Sequence, residues 1–135
     1  MKIGILCAIP KEIKYFDLPP NSAQMLGGRT FYSKKEDSHE LIVVECGLGK
    51  VNAALVSTLL IQQFDCELLV FSGVAGGIDP ELEIGDVVVG ESLIQYDYGA
   101  LNDGQLQVYR AGSIPMGAPE NSAEFSLDPE IKKII

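Results

Sequence analysis

Basic residues are scarce in this sequence. Ten Lys and Arg stand against 19 Asp and Glu in 135 residues, a formal charge of −9 and a pI near 4.4. A general nucleic-acid binder needs a cationic footprint, and this balance argues against one. Histidine is scarcer still. His39 is the only one, which leaves little room for a Ser-His-Asp triad or a histidine-rich metal site. The three cysteines, Cys7, Cys46 and Cys66, are odd in number and form no CxxC pair. They read as buried thiols of a cytoplasmic protein rather than as a disulfide frame. No apolar run reaches the ~18–20 residues of a membrane span, so no membrane partner is expected. The opening Met1-Lys2-Ile3-Gly4-Ile5 is too short, and too soon interrupted, for a signal peptide.

Apolar residues, in contrast, make up 47% of the chain. That is enough for a sizeable core, and the length suits one domain spanning residues 1–135 or part of a slightly larger one. Lys2–Ala8 is almost continuously apolar, as expected of a strand covered on both faces. Pro10 and Glu12 then signal a helical turn running through Phe16. Thr30–Ser33 and Leu41–Cys46 read as two strands of a hairpin, joined by a polar turn over 34–40. Lys50–Phe64 carries apolar residues at helical spacing (51, 54, 55, 59 and 61). Leu68–Phe71 and Asp86–Gly90 read as further strands. Tyr96–Ser122 reads as a long ordered loop with a short strand at Leu106–Tyr109, and loops of that length usually bind or form interfaces. Asp128-Pro129-Glu130 opens a helix, with Ile131, Ile134 and Ile135 on one face.

Strands alternating with helices predict a three-layer α/β domain whose ligand crevice lies beyond the carboxyl ends of its strands. Three loops should converge there: the one carrying Glu12, Gly47–Gly49 and Gly73–Gly77. Glu12 is either a general base for water or a first-turn glutamate that favours the helix dipole. Gly73-Val74-Ala75-Gly76-Gly77 is either a backbone surface for a ligand or a tight strand-to-helix turn. It is neither a P-loop nor a dinucleotide fingerprint. Gly47-Leu48-Gly49-Lys50 is favoured as a structural turn. Asp79, Glu81 and Glu83 read as a solvated edge, and Asp86 as the close of a turn. Asp97 and Tyr98 are weaker candidates for facing a ligand.

Three ordered segments narrow the reading: KIGILCAIPKE, CGLGKVNAA and SGVAGGIDPELEIGDVVVG. Together they resemble the purine nucleoside phosphorylase and nucleosidase superfamily, and within it the branch of 5′-methylthioadenosine/S-adenosylhomocysteine nucleosidases, from Lys2 to about Tyr98. The resemblance implies a three-layer α/β/α fold on a central mixed sheet, a homodimer, and hydrolysis of a ribosyl–adenine bond with neither metal nor organic cofactor. Carried over, Glu12 resembles the glutamate that activates the attacking water. Ile9 and Leu48 resemble residues lining the ribose and 5′-thio pocket, and Val74, Ala75 and Gly76 resemble the loop bordering the ribose and water. Glycosidic cleavage through an oxocarbenium-like sugar suits a carboxylate there. A phosphorylase would need cations for its phosphate, and Pro10-Lys11-Glu12 stands where phosphorylases resemble a glycine–arginine loop. The alternatives are phosphorolysis of purine nucleosides and a non-catalytic nucleoside-binding or interaction module.

This sequence departs from that pattern in three places. Val74 stands where many members carry serine. Tyr96 precedes Asp97 where the family often has histidine. Members run about 100 residues longer, and the Met-Glu-Met-type and Ser-Asp motifs of their second half are absent here. The expectation is the amino-terminal half of a nucleosidase-like domain, catalytically incomplete by itself.

Overall fold

The structure, a computed structural model, describes residues 1–113 and 123–133. The chain forms two compact units, Met1–Ile78 and Asp79–Ile135. The first is built on a five-stranded sheet. Its elements are β1 (Lys2–Cys7), α1 (Pro10–Ile13), β2 (Ala23–Leu26), β3 (Arg29–Glu36), β4 (His39–Glu45), α2 (Lys50–Phe64) and β5 (Leu68–Phe71). The strand order is β2-β3-β4-β1-β5. β1 lies parallel to both β4 and β5, whereas β2, β3 and β4 form antiparallel pairs, so the sheet is mixed.

β1 is central, which explains its apolar run: a strand covered on both faces has no polar side. Its alternate side chains enter two cores. Leu6 joins Phe31, Ile42, Val44, Cys46, Cys66 and the α2 residues Val56 and Leu60 on one face. Ile5 and Cys7 join Val43 on the other, where Ile13, Phe16 and Leu18 of α1 and its following segment pack. Gly4 has no side chain because a Cβ there would lie 2.8 Å from Leu69 and 2.9 Å from Leu60. All three cysteines are free and buried, as their number and spacing suggested.

Three expectations need correcting. The turn between the hairpin strands is only Asp37-Ser38, with Glu36 paired to His39. Asp37 takes a φ of 51°, so the tight turn needs no glycine and the polar residues flanking it lie within strands. A further strand, β2, precedes this hairpin and turns into β3 through Gly27 and Gly28, at φ 56° and 74°. Two consecutive positive φ values match the twist of the flanking strands. On α2, the apolar positions 51, 55 and 61 are exposed, and the core side is Val56 and Leu60. The helix is apolar nearly all round, so periodicity did not choose its inner face.

The second unit holds β6 (Ser92–Ile94), β7 (Gly99–Asn102), β8 (Gln105–Val108), β9 (Glu124–Ser126) and α3 (Pro129–Lys132). β6 pairs with β9, and β7 with β8, both antiparallel. The expected strand at Asp86–Gly90 does not form. Its valines, Val87, Val88 and Val89, are all exposed, and β-propensity makes a strand only where a neighbouring edge accepts the ladder. The expected loop from Tyr96 is in part the β7–β8 hairpin, turned by Asp103-Gly104. Its stretch 114–122, like Ile134 and Ile135 of the expected terminal stripe, lies outside the described residues. Asp128 caps α3, accepting from the Glu130 N–H at 2.8 Å, as its sequence signal predicted.

Candidate active site at the carboxyl edge of the parallel strands

β1, β4 and β5 run parallel and end together at Cys7, Glu45 and Phe71. The chain segments leaving them are laced at once. The Cys46 N–H donates to the Cys7 carbonyl at 2.8 Å, and the Ser72 N–H to the Leu6 carbonyl at 2.9 Å. The three loops singled out by sequence therefore leave one edge, the place where α/β sheets bind small ligands.

Glu12 joins two of them. It is the third residue of α1, and its Oε2 reaches back to accept the N–H groups of Ala8 (2.7 Å) and Ile9 (3.1 Å). Reaching back to the N-cap backbone is a local helix-start bond. Its Oε1 does something no local signal requires: it accepts the Val74 N–H at 3.1 Å, 62 residues away. Gly73 makes this possible, since a Cβ there would stand 2.7 Å from Oε1. Three N–H donors favour the charged form, so the Glu12 carboxyl is held below its ordinary value, with the Val74 bond the largest cause. Oε1 accepts only one of these bonds, leaving a lone pair for a further donor.

The other expected site residues fall as follows. Ile9 precedes α1, partly buried, and lends its N–H to Glu12. Val74, Ala75 and Gly76 lie exposed on the strand-free segment after β5. No helix follows that segment directly, so it is not a tight strand-to-helix turn. A Cβ on Gly76 would meet nothing within 4 Å; the tight approach belongs to Gly73. Leu48 is exposed on the loop entering α2. That loop is a strand-to-helix turn as expected, with Gly47 and Gly49 at φ 84° and 96°. Arg29 escaped the sequence reading. Its guanidinium lies over Gly47, where a Cβ would be 2.8 Å from Nη2. Only the antiparallel return of β3 brings it to this edge, and no local pattern announces that.

In the second unit Asp79, Glu81 and Glu83 are exposed, as a solvated edge should be. Asp86 closes a turn by accepting from the Glu83 N–H at 2.9 Å. Asp97 is exposed, and the Tyr98 hydroxyl donates to the Ser113 carbonyl at 2.6 Å. Among the described residues no group of three His, Cys, Asp or Glu is placed to hold a metal. No described helix is long and apolar enough to cross a membrane.

An α/β sheet with its loops gathered at one strand edge, and a carboxylate fixed there by backbone donors, defines a class of small-molecule site. Comparison with known proteins supplies the family. The phosphorylase superfamily model matches residues 2–135, and the chain belongs to that family. It is 40% identical over 131 residues to the 5′-methylthioadenosine/S-adenosylhomocysteine nucleosidase of Mycobacterium bovis, covering 96% of this chain and 51% of the relative. It is 39% identical over 99 residues to the aminodeoxyfutalosine nucleosidase of Campylobacter jejuni, covering 72% and 43%. Among solved structures, S-adenosylhomocysteine nucleosidase of Streptococcus pyogenes, in complex with 5-methylthiotubericidin, superposes with a TM-score of 0.77 at 28% identity, over 99% of this chain and 54% of that one. Futalosine hydrolase of Helicobacter pylori gives 0.78 at 30%, over 99% and 55%. The mixed-sheet α/β fold expected from the sequence is the fold of these neighbours. The chain spans about half the length of the relatives it matches.

Proposed function

We propose that this chain is the amino-terminal part of one nucleosidase-like domain, which hydrolyses the N-glycosidic bond of 5′-methylthioadenosine- and S-adenosylhomocysteine-type nucleosides and releases adenine. The observation that carries the reading is the Glu12 carboxylate, tied across two loops to Val74. Glu12 is the catalytic group. Ile9 and Leu48 line the ribose and 5′-substituent pocket, and Val74, Ala75 and Gly76 border the ribose and the attacking water. The similarity to a nucleosidase at 40% identity supports this assignment.

The chemistry follows from the charge. As the bond to adenine lengthens, the sugar becomes oxocarbenium-like, and a nearby carboxylate stabilises it. The free lone pair of Oε1 orients a water for attack on the anomeric carbon. A lowered pKa keeps Glu12 anionic at neutral pH. It remains competent to take the proton, because water bonding to a cationic carbon becomes strongly acidic. The purine leaves more readily when protonated, and no residue of this chain is assigned that task. The working protein is a cytoplasmic homodimer on this reading, with a nucleoside as its only ligand.

The test is Glu12→Gln in the full-length protein. Adenine release from 5′-methylthioadenosine should fall by about 10²–10⁴-fold, the usual scale of general-base catalysis, while the variant still folds and binds substrate. Unchanged kcat refutes the role. Turnover that requires phosphate would assign the protein to the phosphorylases instead, and binding without turnover to a non-catalytic module.

A further inference from the structure

Arg29 is a basic residue at this edge that the proposed chemistry does not use. β3 runs antiparallel to β4 with Phe31 opposite Val44, so the residues preceding Phe31 project toward the carboxyl end of β4. The tight Gly27-Gly28 turn sets that position, pairing Arg29 with Leu26. There the guanidinium covers the bare backbone of Gly47, whose Cβ would sit 2.8, 3.2 and 3.3 Å from Nη2, Nη1 and Cζ. Nη2 donates to Oδ1 of Asn52 at 3.2 Å. Asn52, on the first turn of α2, donates through Nδ2 to the Leu48 carbonyl at 2.7 Å. The chain of contacts runs from strand to helix and back to the loop. It ties Gly47 and Leu48 to β3 and α2.

A loop with two positive-φ glycines has many backbone states to lose. The brace selects one of them. We infer that Arg29 and Asn52 are positioning residues that hold Leu48 in register with the 5′ substituent of the bound nucleoside. The inference rests on the nucleosidase reading, and it adds to that reading a determinant of substrate fit lying on β3 and α2. Arginine is required for its shape. The two terminal nitrogens of the fork both approach Gly47 while one of them bonds Asn52, which a lysine ammonium does not reproduce.

The experiment is a kinetic set in the full-length protein with 5′-methylthioadenosine: Arg29→Ala, Arg29→Lys, Asn52→Leu, the double variant Arg29→Ala/Asn52→Leu, and Glu12→Gln. Displacing a lining residue should raise KM by roughly tenfold, with kcat within about twofold, because the loss falls on binding rather than on the reacting atoms. Arg29→Lys should fail to restore KM. The double variant should be no worse than either single one, since both break the same brace. Asn52→Leu keeps the test alive if the Arg29 variants do not fold. Folded variants with unchanged KM, or with only a lower Tm, overturn the inference, as do additive KM effects. Loss of turnover in Glu12→Gln beside unchanged KM in the brace variants sinks the brace alone. Full turnover in Glu12→Gln sinks the reading of Glu12 alone, and the brace is still judged on its KM values.

Discussion

Gly73 is bare because Glu12 occupies the space a side chain would need, at 2.7 Å from Oε1. Gly73→Ala should therefore push the carboxylate off the Val74 N–H without touching the core. Turnover in the full-length protein should drop by roughly 10²-fold, the scale of a misplaced catalytic group. Gly76→Ala, with open space around its Cβ, should cost much less; equal losses in the two variants would contradict this account. The same hydrogen bonds set a pH dependence. They lower the Glu12 pKa below its ordinary 4.5. Their contribution to stability is thus fully present above that value and is lost as pH falls through the lower folded value. Urea midpoints of wild type and Glu12→Gln should differ at neutral pH and converge on acidification. Beneath Glu12, burial first and the Glu12 charge second push the Cys7 thiol up to about 11. Cys7 should resist iodoacetamide in the folded chain at neutral pH and react once urea exposes it.

At the scale of elements, α2 shows how composition and position divide the work. Its residues favour a helix, but the helix has apolar groups on every side. Val56 and Leu60 are wholly buried, whereas Val51 is 84% exposed. Leu60→Ala should cost about 2–5 kcal/mol, as large-to-small changes in a packed core do. Val51→Ala should stay within about 0.5 kcal/mol of wild type, as surface changes do. Chemical denaturation of the two variants separates these outcomes, and equal costs would mean the wrong face has been taken as the core. The β7–β8 hairpin teaches the converse. Asp103-Gly104 is a strong two-residue turn signal, yet the surrounding Gly, Asn, Gln and Tyr residues hide it in what reads as loop. Asp86–Gly90 fails in the opposite sense. Its valines have strand propensity and no ladder partner, and propensity alone does not supply hydrogen bonds.

At the scale of the whole molecule, the exposed apolar surface stands out. Among the described residues β5 ends the sheet with one neighbour, β1, and its Phe71 is 58% exposed. In the second unit Ile84 and Val87 are more exposed still. Open strand edges and apolar patches promote association. The 135-residue chain by itself should therefore self-associate in light scattering, and it should release no adenine from 5′-methylthioadenosine, since the relatives it matches are about twice as long. A well-behaved monomer with enzyme-like turnover would overturn both expectations.

The sequence by itself determined the central strand, the helix starts at Pro10 and Asp128, the existence of α2, the convergence of three loops, and the family. Each of these is written in local chemistry: an unbroken apolar run, a proline followed by a first-turn glutamate, glycines at strand ends in a fixed order. What only the tertiary structure decided is which groups meet. The Glu12–Val74 bond joins residues 62 apart, and Arg29 reaches Gly47 only because β3 returns along β4. The inner face of α2, the close approach of Glu12 to Gly73, and the fate of the valine run are of the same kind. Sequence spacing encodes neighbours along one element. Contacts across elements depend on strand order and register, which the packing of both sheet faces selects together.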